Sequence, residues 1–285
     1  MNRHTIAILT DSGTDVPVDF ARMHGIRILP LSVRFSEGEY LDGVTISPEE
    51  VYRRLPFELP KTSLPAAETV RNTLAALQAE GIETVFIITI SGALSGTYNL
   101  MRICAAEFPT LDCRLIDTRN IGIGAGFTVM RAAEMVQEGL DVNTIESRLR
   151  ELVKNTKVFF CLQTLEYLAK GGRIGKVTAA VGSILDVRPV ISCNEEGVYY
   201  TVQKARGAAR AYKTAIENAV SYAKKGNAYH MAIAHGGVPE LAAHFEAQLS
   251  GLIAGARSFI RTQVSPALGV HTGPGLIGIG IQHLS

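Results

Sequence analysis

What this chain lacks narrows its function before any motif is read. It has 4 cysteines (Cys104, Cys113, Cys161 and Cys193), and none forms a CxxC pair. That speaks against a disulfide or dithiol framework and for buried, reduced thiols. Charge of either sign is not in excess: the formal net charge is +1, too little to make nucleic acid or an anionic membrane surface the main partner. No apolar run approaches the ~20 residues of a membrane helix. The first residues, MNRHTIAILTDSG, carry no secretory pattern, so the expectation is a soluble, cytoplasmic protein. The 7 histidines form no HxH or HxxxH pair, which argues against zinc. Gly92-Ala-Leu-Ser-Gly96 is not a G-x-S-x-G elbow, and Asp11-Ser-Gly-Thr-Asp15 lacks the lysine of a phosphate loop. Gly122, Gly124 and Gly126 are too evenly spaced for G-x-G-x-x-G. No cofactor and no metal are expected.

What is present is a 285-residue chain that is 47% hydrophobic, enough for two packed lobes. Strand and helix signals alternate. The apolar run Val85 to Ile90 leads into Ser91-Gly-Ala-Leu-Ser-Gly-Thr-Tyr98, a loop of small polar residues that opens a helix. A strand end facing a helix start is where open α/β sheets bind ligands. The unpaired N–H groups of the helix start favour an anion. No Lys or Arg lies in the loop, so neutral donors are expected to hold that anion. Ile26 to Phe35 reads as one strand, Lys61 to Pro65 as a polar loop, and Ser47-Pro-Glu-Glu50 as a capping box with proline at the first helical position. Asp11 is expected to tie down the turn after the first strand. His271-Thr-Gly-Pro-Gly275 reads as a loop before the last strand. The first ~155 residues give a β-α order with a mostly parallel sheet flanked by helices. The rest reads as mixed α/β, with a hairpin across Asn194-Glu-Glu-Gly197. The expected division is 1–157 and 158–285. A basic segment, Lys170 to Lys176 with Arg173, and Lys204-Ala-Arg-Gly207 with Arg206, reads either as a solvated face or as a phosphate or partner contact.

Thr10-Asp-Ser-Gly-Thr-Asp15, Lys61-Thr-Ser-Leu-Pro65, Ile90-Ser-Gly-Ala-Leu-Ser-Gly-Thr-Tyr98, Leu165-Glu-Tyr-Leu-Ala-Lys-Gly-Gly-Arg-Ile174, Arg188-Pro189, Lys204-Ala-Arg-Gly207 and Gly273-Pro-Gly275 occur in this order. Together they resemble the DegV family, the fatty-acid-binding subunits of bacterial fatty acid kinase, from about residue 4 to 283. The resemblance implies a two-domain α/β protein with one long-chain fatty acid, such as palmitate or stearate, between its domains. It implies that Thr62 and Ser95 hydrogen-bond the carboxylate, with the Gly96 amide as a further donor and His271 near the head group. It also implies a separate kinase subunit as partner, with Arg173 and Arg206 as candidates for the contact, and it leaves transient membrane contact open. On this resemblance the chain itself is not an enzyme. Leu64 stands where Gln is common in the family and Ala66 where Ser is, and Asp117-Thr-Arg-Asn120 departs from the usual loop. Two other readings of the residues stay open: a stand-alone α/β hydrolase using Ser95 with His271 as base, and a regulatory interaction module.

Overall fold

The computed structural model describes residues 5–177 and 187–284. In the first half, the strands are Ile6–Asp11 (β1), Arg27–Leu29 (β2), Ser32–Phe35 (β3), Gly38–Leu41 (β4), Lys61–Ser63 (β5), Thr84–Thr89 (β6) and Asp112–Asp117 (β7). They alternate with helices Val18–Met23 (α1), Pro48–Arg54 (α2), Ala67–Ala79 (α3), Thr97–Ala105 (α4), Ile123–Gln137 (α5) and Val142–Lys154 (α6). The second half carries strands Thr156–Cys161 (β8), Val187–Cys193 (β9), Tyr199–Arg206 (β10), Tyr229–His235 (β11), Ser258–Gln263 (β12) and Ile277–His283 (β13). Its helices are Glu166–Lys170 (α7), Ala208–Ala223 (α8), Pro239–Gln248 (α9), Ser250–Gly255 (α10) and Pro266–Thr272 (α11).

The first sheet is parallel, in the order β2-β1-β6-β7. Every residue of β6 is buried, as both faces of a parallel sheet are covered by helices. Alternation along the strands sorts the side chains. Leu9, Val85 and Ile87 pack with Leu74 of α3 and Met101 of α4, whereas Ile8, Phe86 and Ile88 pack with Phe127 and Val129 of α5. The second sheet runs β10-β9-β8-β13-β11-β12, antiparallel except for β11 and β12. One face is covered by α8 and α9, with Ala215 and Phe245 against Phe159, Met231 and Ile279. Its other face shares a core with α5, in which Phe160, Ile191 and Ala232 join Phe127. Helix α5 therefore lies between the two sheets, and 11 of its 15 residues are buried, the mark of a helix apolar all round. Its glycines allow that closeness: a Cβ on Gly126 would stand 2.5 Å from the carbonyl oxygen of Thr14, and one on Gly124 2.5 Å from Val158.

Three local expectations change. Ile26 to Phe35 is two strands in two sheets, because Pro30 lies between them and has no N–H for a ladder. Residues 61–63 are not loop: β5 pairs antiparallel with β3 (Val33 opposite Thr62), and β3 also pairs with β4 to make a third, small sheet. His271 is not in a loop but in the last turn of α11, a helix with proline at its start and Gly273 (φ 69°) at its end. The capping box is half formed. Ser47 accepts from the Glu50 amide, but the Glu50 carboxylate is taken by Arg53. Asp11 does hold its turn, accepting from Gly13 N at 3.0 Å and also from Ile90 N at 3.0 Å across the sheet.

Candidate functional site

Four of the six site residues singled out in the sequence line one cavity. Thr62 comes from β5, Ser95 from the loop before α4, Arg173 from the turn after α7, and His271 from α11. The rest of the wall is mostly apolar, including Ile90, Ile121, Val158, Phe160, Leu268 and Ile279. About 890 Å³ there is free of protein atoms, a figure that includes open solvent at the mouth. The cavity reaches from the polar cluster to Gly278 and Gly280 of β13, beside the α5 core.

The polar cluster is ordered by its own hydrogen bonds. His271 Nε2 lies 2.7 Å from Thr62 Oγ1, and Nδ1 is buried with no partner among the described residues. An orphaned buried N–H is rarer in proteins than an under-used acceptor, so the network assigns the ring proton to Nε2, donating to Thr62. The Thr62 hydroxyl hydrogen is then free for a ligand. Burial, with a smaller contribution from the Arg173 charge, pushes the His271 pKa down to about 4, so the ring is neutral at pH 7. A Cβ on Gly171 would stand 2.2 Å from His271 Nδ1. Glycine at the end of α7 thus lets the backbone close over the ring.

The Ser91–Tyr98 loop divides its hydroxyls by role. Ser91 is buried and structural: it donates to the Gly197 carbonyl at 2.9 Å and accepts the Ala93 amide. Thr97 is buried, and Ser95 Oγ accepts its amide at 3.3 Å and lies 2.8 Å from its hydroxyl. With Thr97 donating, Ser95 keeps its own proton for the cavity. Gly96 is exposed and lines an adjoining outer cleft rather than the cavity, together with Gly92, Gly172, Gly175, Ser95 and Arg173. Ser95 and Arg173 thus stand on the partition between the cavity and the outer cleft.

Arg173 adds a cation to the cavity lining, beside the neutral donors expected from the sequence. Its guanidinium donates to the carbonyls of Leu94 (3.4 Å) and Gly171 (2.7 Å). It pairs with no carboxylate among the described residues, which leaves its positive charge for an anion. Arg206, by contrast, is exposed at the end of β10 opposite Val187 and is not brought to the cavity. A further side chain there, Asp15, is not among the residues expected at the site. Asp15 lies in the cavity wall, and burial raises its carboxyl well above the usual carboxylate range. Among the described residues, no group of three or more His, Cys, Asp or Glu side chains is arranged to hold a metal ion, and no helix is long and apolar enough to cross a membrane.

A family model described as "Uncharacterised protein, DegV family" matches residues 5–284. A DegV domain-containing protein of Clostridium acetobutylicum is 39% identical over 276 residues, covering 97% of this chain and 98% of its own length. Among solved structures, a DegV family protein of Thermus thermophilus described for its fatty acid binding superposes with a TM-score of 0.92. It is 28% identical, over 98% of this chain and 99% of that one. A stearic acid-binding protein of Eubacterium ventriosum superposes with a TM-score of 0.90 at 28% identity, over 98% of each chain.

Proposed function

The chain belongs to the DegV family, and from that premise we propose that it binds one long-chain fatty acid in this cavity and presents the carboxylate to a separate kinase for acyl-phosphate formation in the cytoplasm. The observation that carries the proposal is the joining of a hydroxyl–imidazole–guanidinium cluster to a mostly apolar cavity. Residues 1–157 and 158–285 are taken as the two lobes around the acid. Burying a tail contributes about 0.8 kcal/mol per methylene, so roughly fourteen methylenes give on the order of 10 kcal/mol before ordering costs. That is enough for roughly sub-micromolar affinity. The head group adds selectivity, because a carboxylate left without donors inside the protein is costly. Thr62 and Ser95 supply hydroxyl donors, and Arg173 supplies the charge. His271 holds the Thr62 oxygen from behind and so positions its proton.

The same cluster bears on the hydrolase alternative. His271 Nε2 is engaged by Thr62 rather than by Ser95, and its Nδ1 meets no acid among the described residues. A serine nucleophile needs a base within hydrogen-bond reach and a group that orients that base. The arrangement favours holding an anion over activating Ser95. The glycine-lined outer cleft on the far side of Ser95 and Arg173 offers room for a phosphoryl donor to approach the bound carboxylate.

One experiment tests both parts. Delipidated chain is titrated with stearate by calorimetry, then given ATP and a fatty acid kinase catalytic subunit, and acyl phosphate is trapped with hydroxylamine. Saturable 1:1 binding and trapped product are expected. Arg206→Glu is expected to lower product formation several-fold while leaving the titration unchanged. No saturable binding would overturn the fatty-acid proposal. Binding without product would overturn only the kinase role.

A further inference from the structure

We propose that Asp15 in the cavity wall hydrogen-bonds an oxygen substituent part-way along the acyl chain, so that the ligand class of this protein includes mid-chain hydroxy fatty acids. The inference rests on the fatty-acid proposal above and concerns the tail, not the head group. Three carboxyl groups are buried where the first turn meets α11, but they are not equivalent. Asp11 has both oxygens occupied, by Gly13 N and Ile90 N. Asp42 has both occupied, by the Ser12 hydroxyl and Ala267 N. Asp15 spends Oδ1 on Ser265 N at 3.1 Å. Its Oδ2 makes no well-aligned hydrogen bond among the described residues, although the Ser265 hydroxyl, buried and equally without one, acts on the same carboxyl.

Asp15 is 8% exposed and lines the cavity beside aliphatic Ile123 and Leu268. The space its carboxyl uses is made by Gly122, where a Cβ would come within 3.0 Å of Oδ2. Gly122 has φ 55° and Asp15 φ 50°, so two left-handed residues place this carboxyl in the wall. For a non-glycine residue that conformation is uncommon and is associated with functional positions. Burial raises its pKa and so favours the neutral form, which can donate as well as accept. With a saturated chain Oδ2 has no partner beyond the Ser265 hydroxyl, and buried polar groups are nearly always fully partnered. A ligand hydroxyl supplies the missing partner.

The position along the chain follows from α11. Ser265, the partner of Asp15, precedes the helix, and His271 is in its last turn. Six helical residues rise about 9 Å. Asp15 and the His271 cluster therefore meet opposite ends of α11, and the hydroxyl that Asp15 reads lies along the tail, away from the carboxylate.

The test compares stearate, 2-hydroxystearate and 10-hydroxystearate by competition titration on the wild-type chain and on Asp15→Leu. Wild type is expected to bind 10-hydroxystearate at least as tightly as stearate. Asp15→Leu is expected to weaken the 10-hydroxy acid about tenfold relative to stearate, with the ratio of 2-hydroxystearate to stearate unchanged. An unchanged ratio in Asp15→Leu would overturn the assignment. If Asp15→Leu does not fold, the wild-type series decides: a penalty of about tenfold for the 10-hydroxy acid overturns the assignment, and its absence supports it. Failure of wild type to bind stearate itself would remove the fatty-acid proposal and this assignment with it, a result distinct from loss of hydroxyl selectivity alone.

Discussion

A chain carrying both Thr62→Val and Ser95→Ala is expected to bind stearate at least about 100-fold more weakly than wild type while remaining folded. On the proposed reading each substitution deletes one hydroxyl donor to the carboxylate, and a hydrogen bond to a charged group contributes about 1.5–3 kcal/mol. Two such losses reach a factor of about 100 at the lower bound. The structural costs are smaller. Thr62→Val leaves the His271 Nε2 proton without its partner, and Ser95→Ala removes an acceptor for the Thr97 amide. The latter is a local side-chain–backbone bond just before α4, worth about 1 kcal/mol. Calorimetric titration against a thermal melt of the same sample separates the two. Unchanged affinity in the double variant would mean that these hydroxyls do not hold the head group.

The largest effect on stability is expected at Asp11→Ala, about 3 kcal/mol at pH 5. The side chain is fully buried and joins the end of β1 to the start of the Ser91 loop through Ile90 N. Its removal strands the Gly13 and Ile90 amides, each an unsatisfied donor costing about 1–3 kcal/mol. The penalty depends on pH. Burial raises the Asp11 pKa from 3.8 to about 7, against the opposing amide hydrogen bonds. The folded chain therefore keeps a proton that the unfolded chain releases, and stability from this group is full below pH 4 and is lost as pH rises through 7. The gap between wild type and variant should close by about 2 kcal/mol from pH 5 to pH 8. Histidine titrations common to both chains cancel in the difference. Urea unfolding at a series of pH values reads this directly, and a gap that widens with pH would show that Asp11 is ionised in the folded state.

Much of this was legible in the residues because each signal was local. The unbroken apolar run of β6, the small polar loop after it and the helix that follows are set by neighbours in sequence, and all three form where expected. The tie from Asp11 to its turn was local too. What was not legible depends on distant pairing. Lys61–Ser63 carries no strand pattern of its own and becomes β5 through Val33 and its neighbours. Helix α11 carried two end signals, Ser265-Pro266 and Gly273, but its buried, nearly all-apolar body shows no helical periodicity, so His271 read as loop. Placing Arg173 beside Ser95 required the turn after α7 to fold back over the Leu94 carbonyl, a contact across 79 residues. The difference between Asp15 and its neighbours is tertiary too: Asp11 and Asp42 have both oxygens engaged, while Asp15 Oδ2 has no well-aligned partner among the described residues.

The most direct test of where the ligand sits is a crystal structure of the delipidated chain soaked with stearate. The account predicts one acid per chain, its carboxylate within hydrogen-bonding distance of Thr62 Oγ1 and Ser95 Oγ and its tail running past Val158 toward Gly280. Stearate bound elsewhere, or a head group turned away from Thr62 and Ser95 at saturating ligand, would contradict it.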